Sequence, residues 1–236
     1  MCRNHSALKG IMLIVIFIYC LCITIDVSAD SNQFYTKSLG KTGHIVKVMN
    51  DGSVQKTFYE GHLVVKEPTD YQTVYCLMMN EKFAPGYKTR QDARLSMSND
   101  EVEKVALSLE YINNQYAAAH PELSFNQIYL LGQCTVWRQL SELRGWQADH
   151  TRVDYSNLSE ALQSEAYSGA KAFINANKGK YKCGGYVYTA GKGQDVGRFW
   201  AEKRKETIIR TTSTDKETGA KKIVSAKSIK IVDKVE

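Results

Sequence analysis

The pattern of hydrophobic and polar positions from residue 34 to residue 79 is typical of β-strands. Residues 44–49 alternate between apolar and polar, Asn50-Asp51-Gly52 is a strong turn signal, and residues 54–59 return as a second strand, so we predict a β-hairpin. Gly61 marks a further turn, and residues 63–66 are predicted as another short strand.

The most apolar strand of this region is predicted at residues 73–79. Apolar residues surround Cys76 on both sides without alternation, as expected of a strand that is buried on both faces. Pro85-Gly86 is predicted to end the strand region.

A helical region is predicted next. Ser98 and Glu101 have the spacing of a capping box, and apolar residues then recur at helical intervals from Val102 to Ile112. Pro121 is predicted to interrupt this helix.

Two more helices are predicted before the pattern returns to β. Ser124 and Gln127 form a second candidate capping box, and the helix that they open is expected to reach about residue 143. The third helix is predicted at residues 158–177, with Gly179 as its stop.

The last part of the pattern sets the fold class. Residues 184–190 are predicted as a strand, followed by a polar turn at 191–195 that contains Gln194. The order of strands, helices and strands predicts an α+β fold, with a β-sandwich or barrel-like body and an inserted helical subdomain. The composition becomes polar and Thr-rich from Lys203, so we expect one domain at residues 30–202 and a truncated β unit at 203–236.

Residues 1–29 have the pattern of a secretory signal. Arg3 and Lys9 give it a positive start, residues 11–25 are almost wholly apolar, and Val27-Ser28-Ala29 fits a small-residue cleavage site. The apolar core is shorter than the roughly 20 residues that a membrane-spanning helix needs. We therefore expect a secreted protein that loses this signal, with a retained N-terminal anchor as the alternative.

Charge narrows the class of partner. The net charge is +6, and between residues 178 and 236 there are 15 Lys and Arg against 7 Asp and Glu. A basic segment can bind nucleic acid or an anionic surface. No aromatic-rich basic groove or nucleic-acid motif accompanies it, so we expect a solvated face and no nucleic-acid partner.

The cysteine count is odd once the predicted signal is set aside. Three of the six cysteines precede residue 23, which leaves Cys76, Cys134 and Cys183. An odd number in an exported protein predicts a thiol that is free or engaged in another bond. A Cys134–Cys183 disulfide fits an exported chain and leaves Cys76 single.

Two segments resemble the signature segments of one protein family. Residues 73–80 read Thr-Val-Tyr-Cys-Leu-Met-Met-Asn, and residues 130–139 read Leu-Leu-Gly-Gln-Cys-Thr-Val-Trp-Arg-Gln. They resemble the aromatic-Cys strand and the Thr-Gln-x-[Ala/Thr]-[Ile/Val]-Trp helix segment of the thioester domains at the tips of Gram-positive surface adhesins. The resemblance spans residues 34–200.

This resemblance implies an adhesin tip domain in which Cys76 and Gln133 join as an internal thioester, with loss of ammonia. A lysine amine of a host surface or matrix protein would attack the thioester, form an amide with Gln133 and release the Cys76 thiol. Each domain would react once, so it would not be an enzyme in the turnover sense, and no cofactor is expected.

Such a bond makes physical demands on the fold. A carboxamide is a poor electrophile and a thiol is a weak nucleophile, so the two must be held in close and fixed geometry. The product must also be kept from water. Four apolar or aromatic residues are predicted to cover it: Tyr75, Leu77, Val136 and Trp137.

Two residues depart from the family pattern. Gly132 stands where the family usually has threonine, so a hydroxyl that could orient Gln133 is missing. Cys134, next to Gln133, is also unusual and could compete as the nucleophile or pair with Cys183.

The C-terminal segment resembles the opening strands of the stalk repeats of the same adhesins. Those repeats carry an internal Thr–Gln ester bond, and Thr207 matches the position of the threonine donor. The partner glutamine would lie near the end of the repeat. We therefore expect a fragment of a longer cell-surface protein, monomeric and joined to the cell wall through a missing C-terminal region, with a free tail as the alternative.

Other functions stay open. Cys76 with His120 or His150 could form a Cys-His hydrolase, although an activated cysteine usually lies where a helix N-terminus or a cation lowers the pKa of its thiol. Metal binding has no CxxC or HxxxH spacing to support it. A secreted non-covalent binding module with a structural Cys76 is the remaining alternative.

Overall fold

The computed structural model describes residues 32–48, 53–79, 81–144, 151–155, 157–191, 193–205, 210–214 and 221–225. The predicted signal at residues 1–29, His150 and Thr207 lie outside the described residues. None of the helices within the described ranges has the length and apolar character that crossing a membrane requires.

The first two strands form the predicted hairpin. β1 (Gln33–Val48) pairs antiparallel with β2 (Val54–Lys66), and Val48 lies opposite Val54. The predicted turn at Gly61 is wrong, because β2 continues through this glycine. A Cβ atom on Gly61 would clash with Ser38 Oγ, so the close approach of an irregular part of β1 requires glycine here.

Eight strands, counted within the described residues, form one antiparallel sheet. Besides the hairpin these are β3 (Tyr71–Thr73), β4 (Tyr75–Cys76), β5 (Gly86–Asp92), β6 (Thr151–Asp154), β7 (Tyr181–Thr189) and β8 (Val196–Lys203). The strand order is β3-β2-β1-β5-β7-β8-β4, and β6 pairs with the far part of β1. Because β5 begins at Gly86, the prediction that the strand region ends there is wrong: the turn signal leads into another strand.

The segment from Tyr71 to Cys76 closes the sheet. β3 pairs with β2 and β4 pairs with β8, although only Val74 separates these two strands. Val74 donates its N–H to Leu63 O at 3.0 Å. The chain therefore passes from one edge of the sheet to the other within a few residues, which makes the body barrel-like. The strand predicted at residues 73–79 is two short strands with different neighbours.

The first helix begins at the predicted capping box. Ser98 Oγ accepts the N–H of Glu101, and the Glu101 carboxylate accepts the N–H of Ser98, at the start of α1 (Asn99–Glu110). The helix continues as a π-helical turn at Tyr111–Tyr116 and a last α-helical turn at Ala117–Ala119. It ends before Pro121, as predicted.

Two further helices, α2 (Phe125–Arg144) and α3 (Glu160–Asn177), complete the insertion. Gln127 Oε1 accepts hydrogen bonds from the N–H and hydroxyl of Ser124, so the second predicted cap is formed. Gly179 has φ 74 just beyond α3, a conformation that favours glycine. All three helices lie between β5 and β7 in the chain, and the predicted α+β body with a helical insertion is confirmed.

The hydrophobic core joins the sheet to the helices. Val65 and Tyr188 from the sheet and Leu131 and Trp137 from α2 are among its fully buried residues. Full burial of one large apolar side chain stabilises a fold by about 1.5–3 kcal/mol. Cys76 belongs to the same cluster, so the cysteine singled out by the sequence lies inside the core.

Two short strands, β9 (Arg210–Thr214) and β10 (Lys221–Ser225), form a separate antiparallel pair. They fall within the segment expected to begin a stalk repeat. The last strand suggested by the sequence, at residues 228–235, lies outside the described residues. The stalk repeat and its ester at Thr207 remain predictions.

Candidate functional site

Cys76 is wholly buried where β4 pairs with β8. It lies opposite Val196, and the following residue, Leu77, donates its N–H to Asp195 O at 3.0 Å. These contacts hold one edge of the short strand against β8. The backbone polar groups of Cys76 itself are paired on the other edge, which faces α2.

Gln133 on α2 binds the backbone of Cys76. Its Oε1 accepts the Cys76 N–H at 2.8 Å, and its Nε2 donates to Cys76 O at 2.9 Å. Both residues have no exposed surface. Because unpaired backbone groups are costly when they are buried, this pair of hydrogen bonds takes the place that a neighbouring strand would have on this side of β4.

The sulfur of Cys76 contacts a different glutamine. Cys76 Sγ donates to Gln194 Oε1 at 2.8 Å, and Gln194 is 2% exposed. The sequence predicted a contact between this sulfur and the Gln133 carboxamide, and the structure has Gln194 in that place. Both polar atoms of the Gln133 carboxamide are bound to the Cys76 backbone, and the carbonyl that faces the sulfur belongs to Gln194.

Each polar group of Gln194 has a partner. Its Nε2 donates to Met78 O, its N–H donates to Lys82 O at 3.4 Å, and its backbone carbonyl accepts from Lys88 Nζ at 2.9 Å. The side chain is therefore held at its oxygen, its nitrogen and its backbone. This is the fixed geometry that acyl transfer between two weak partners requires.

The signal for Gln194 was local and weak. The sequence places it in a polar turn after β7, and Gly191 and Gly193 in that turn have positive φ angles of 64° and 89°. Glycines tolerate such angles, so the turn could be predicted. Which strand the turn would meet could not, because Cys76 is 118 positions away in the chain.

Lys88 on β5 was not singled out by the sequence, yet it is a buried charge beside this site. It is 1% exposed, and its Nζ lies 5.7 Å from the centre of the Phe83 ring. Burial lowers the pKa of Lys88, and negative charge on Asp195 and on Cys76 opposes this lowering. A cation in this position would in turn favour a thiolate at Cys76.

The glycine at position 132 has a steric explanation. A Cβ atom there would lie 3.0 Å from Tyr75 Cε1 and 3.3 Å from Leu109 Cδ2. The Tyr75 ring stacks on Tyr129 with 5.2 Å between centroids, and its hydroxyl accepts from Asn113 Nδ2 at 3.2 Å. Gly132 therefore makes room on α2 for the aromatic residue that precedes Cys76. Burial raises the pKa of Tyr75 to about 12, so its hydroxyl stays protonated.

Neither a protein-family model nor a curated protein matches the sequence. Three similar solved structures are an N-terminal thioester domain of a Clostridium perfringens surface protein, the N-terminal domain of the Streptococcus pyogenes pilus tip adhesin Cpa, and the N-terminal thioester domain of a protein F2-like fibronectin-binding protein from Streptococcus pneumoniae. This chain resembles adhesin thioester domains.

The sequence identities and TM-scores of these matches are low. The identities are 12%, 11% and 13%, and the TM-scores are 0.43, 0.43 and 0.41, in the same order. The matches cover 71%, 72% and 73% of this chain and 99%, 94% and 95% of the solved domains.

The residues expected to cover a thioester are all in the core. Tyr75 and Leu77 are 5% and 3% exposed, and Val136 and Trp137 are wholly buried. The site is buried, which protects a bond that must not hydrolyse. The shielding role of these four residues stays a prediction.

Cys134 and Cys183 do not form the disulfide that the sequence left as a possibility. Cys134 is wholly buried on α2 and hydrogen-bonds with Tyr167 on α3. Cys183 is half-buried on β7 with the charges of Glu103 and Arg94 nearby, and burial is the main cause that raises the pKa of its thiol to about 11. The two cysteines thus have separate surroundings on different elements.

His120, one of the two histidines considered for a hydrolase, has carboxylate partners. Its Nδ1 lies 3.1 Å from Glu122 and its Nε2 lies 3.4 Å from Glu165, and its ring packs against Tyr116. The contact on the Cys76 sulfur is instead the carboxamide of Gln194. Across the described ranges, no group of three or more His, Cys, Asp or Glu could hold a metal ion.

Proposed function

We propose that this chain is an attachment domain of a secreted, cell-surface adhesin, with an internal thioester between Cys76 and Gln194. The thioester couples once to a primary amine, such as a lysine side chain of a host surface or matrix protein. The observation that carries the proposal is the 2.8 Å contact between Cys76 Sγ and Gln194 Oε1 in a buried site.

The thioester forms by acyl transfer. The Cys76 sulfur attacks the side-chain carbonyl carbon of Gln194, the C–N bond breaks, and the amide nitrogen leaves as ammonia with the thiol proton. A thiolate is the better nucleophile, and the buried cation of Lys88 favours it. The hydrogen bonds that hold Gln194 support the proximity that this step needs.

The thioester is then an acyl donor for an amine. The amine nitrogen bonds to the carbonyl carbon of Gln194, the C–S bond breaks, and Cys76 regains a thiol. The product is an amide between Gln194 and the partner protein, a covalent link that resists shear. Burial of the site slows the competing hydrolysis by water.

Gln133 is a positioning residue in this proposal. Its two hydrogen bonds to the Cys76 backbone hold the strand that carries the nucleophile. It can do so only as a carboxamide, since a carboxylate cannot donate to Cys76 O.

Intact mass spectrometry of the full chain without residues 1–29 tests the proposal. The mass should be one ammonia below the sequence mass, and Cys76→Ala and Gln194→Ala should each abolish this deficit. Cys183→Ala should keep it, since this half-buried thiol lies on β7 outside the site. An undiminished mass in fresh wild-type protein would refute covalent attachment and leave a non-covalent binding module.

Methylamine identifies the glutamine. After reaction, peptide fragmentation should place the methylamide on Gln194 and a newly alkylatable thiol on Cys76. A methylamide on Gln133 would instead restore the pairing implied by the family resemblance and contradict the pairing proposed here.

A further inference from the structure

A pocket of about 710 Å³ adjoins Gln194. Its lining includes Met78, Glu81, Lys82, Thr189, Gly193 and Asp195. Ligand pockets in proteins measure about 300–1,000 Å³, so this one can hold a side chain of the size of lysine with part of its backbone. Formation of the proposed thioester between Cys76 and Gln194 does not involve this pocket.

The orientation of Gln194 relates the pocket to the reaction. The product of aminolysis is an amide whose nitrogen takes the place of Gln194 Nε2. In the structure, Nε2 donates to the carbonyl oxygen of Met78, a residue that lines the pocket. An amine nitrogen that arrives at the same place would carry its alkyl chain on the side where the pocket lies.

Resting on the proposed thioester, we propose that this pocket admits a cationic alkylamine and that Asp195 binds its ammonium group and takes the proton that the amine must lose before it attacks. Asp195 lines the pocket and follows Gln194 directly. Its backbone is fixed, because Asp195 O accepts the N–H of Leu77.

The surroundings of Asp195 suit a proton acceptor. Burial raises its pKa, the cation of Lys88 from β5 lowers it, Glu81 from the loop before β5 raises it, and the N–H of Ala190 lowers it. The result is a raised pKa, so Asp195 is a stronger base than an exposed aspartate. Lys82 contributes a positive charge to the same lining.

The proposed step balances in atoms and charge. The alkylammonium gives one proton to the Asp195 carboxylate, and the neutral amine forms the C–N bond. The C–S bond breaks, the sulfur leaves as a thiolate and takes the second amine proton, and Asp195 returns its proton to solvent. A general base of this kind contributes about 10²–10⁴-fold to a rate.

Two amines with different proton demands test the role of Asp195. Methylamine is an ammonium ion at pH 7 and needs a base, whereas hydroxylamine is neutral at pH 7. Asp195→Asn should slow methylamine coupling, followed by intact mass, by about 100-fold at pH 7 and hydroxylamine coupling far less. The difference between Asp195→Asn and wild type should shrink as the pH approaches the pKa of methylamine. Glu202→Gln, an exposed carboxylate farther along β8, is the matched control.

If Asp195→Asn slowed coupling equally with both amines, Asp195 would have only a structural role. If neither rate changed, Asp195 would take no part in the reaction. If Asp195→Asn forms no thioester, Thr189→Phe tests the pocket instead. Phenylalanine at this position should fill the pocket, slow coupling to an N-acetyl-lysine amide at least tenfold and leave the rate of coupling to hydroxylamine unchanged. Unchanged coupling of the lysine amide would overturn the pocket. Failure of the thioester itself is seen separately, as the absence of an ammonia deficit in wild-type protein.

Discussion

The Gln133 carboxamide hydrogen-bonds both backbone polar groups of Cys76, at 2.8 and 2.9 Å. A helix side chain thus completes the pairing of β4, whose other edge lies against β8. The sulfur of the same cysteine contacts Gln194 from a different part of the chain. One cysteine is therefore held by two glutamines, one on its backbone and one on its side chain.

Gln133→Ala should lower the free energy of unfolding, because it leaves the buried N–H and C=O of Cys76 unpaired. Each such group costs about 1–3 kcal/mol. Denaturant unfolding at constant m-value measures the loss. Gln115→Ala, at an exposed amide of the helical region, is the control, and a loss at Gln133 no larger than at Gln115 would refute the bridging role.

Lys88→Met should remove one source of pH dependence from the stability. Burial places the folded-state pKa of Lys88 below its ordinary value of 10.5. Between these two values the unfolded chain binds more protons than the folded one, so the wild type gains stability as pH rises through that window and the variant does not. Below the folded-state pKa, Lys88 is protonated in both the folded and the unfolded state. The free energies of unfolding of wild type and variant should therefore change with pH in the same way.

The pH dependence due to Lys88 is best measured in a Cys76→Ala background, where no thioester can form. The variant also removes the charge of Cys76, so that Asp195 alone of the two opposes the lowered pKa of Lys88. Stability from denaturant unfolding is compared at several pH values. Lys82→Met, at an exposed lysine, should keep the pH dependence of the background protein. The same dependence in Lys88→Met would show that another group is responsible.

Gly132→Ala should destabilise the protein, although alanine favours a helix over glycine by about 1 kcal/mol. The added Cβ would lie 3.0 Å from Tyr75 Cε1, and the buried Tyr75 ring, stacked on Tyr129, has little room to move. Overpacking of this kind costs about 1–3 kcal/mol. In a double-mutant cycle, Gly132→Ala should cost less when Tyr75→Leu is already present. Additive losses would contradict the steric explanation.

Cys183 should react slowly with iodoacetamide in the folded protein. Its pKa of about 11 keeps the thiol protonated at pH 8, where only about one in a thousand molecules is a thiolate. Because the pKa is raised, the rate should increase about tenfold for each unit of pH until it levels near 11. Urea should restore ordinary reactivity, and Cys183→Ala identifies the labelled site. Fast labelling at pH 8 in the folded state would contradict the burial of this thiol.

Local features were predictable because neighbouring residues decide them. The caps at Ser98 and Ser124 follow from a serine and an acceptor three positions later, and both are formed. The stop of α1 before Pro121 follows from the backbone of proline. Each depends on a few consecutive residues, so no knowledge of the tertiary structure was needed.

Features that depend on distant partners were missed or misplaced. The region from Gly86 to Asp92 looks polar, yet it is the strand that joins β1 to β7 and carries the buried Lys88. Gly61 looks like a turn residue because the approach of Ser38 cannot be read from the chain. In each case the decisive contact comes from a residue that is not adjacent in sequence.

The sequence by itself determined that Cys76 would be buried in an apolar strand, that Gln133 would lie on a helix and that Gln194 would lie in a glycine turn. Periodicity and glycine content decide these placements locally. Only the tertiary structure decided which glutamine meets the sulfur. Barrel closure brings β4 against β8 and the adjoining turn, so residues 118 positions apart touch, while the helix uses its own glutamine to satisfy the backbone of the same cysteine.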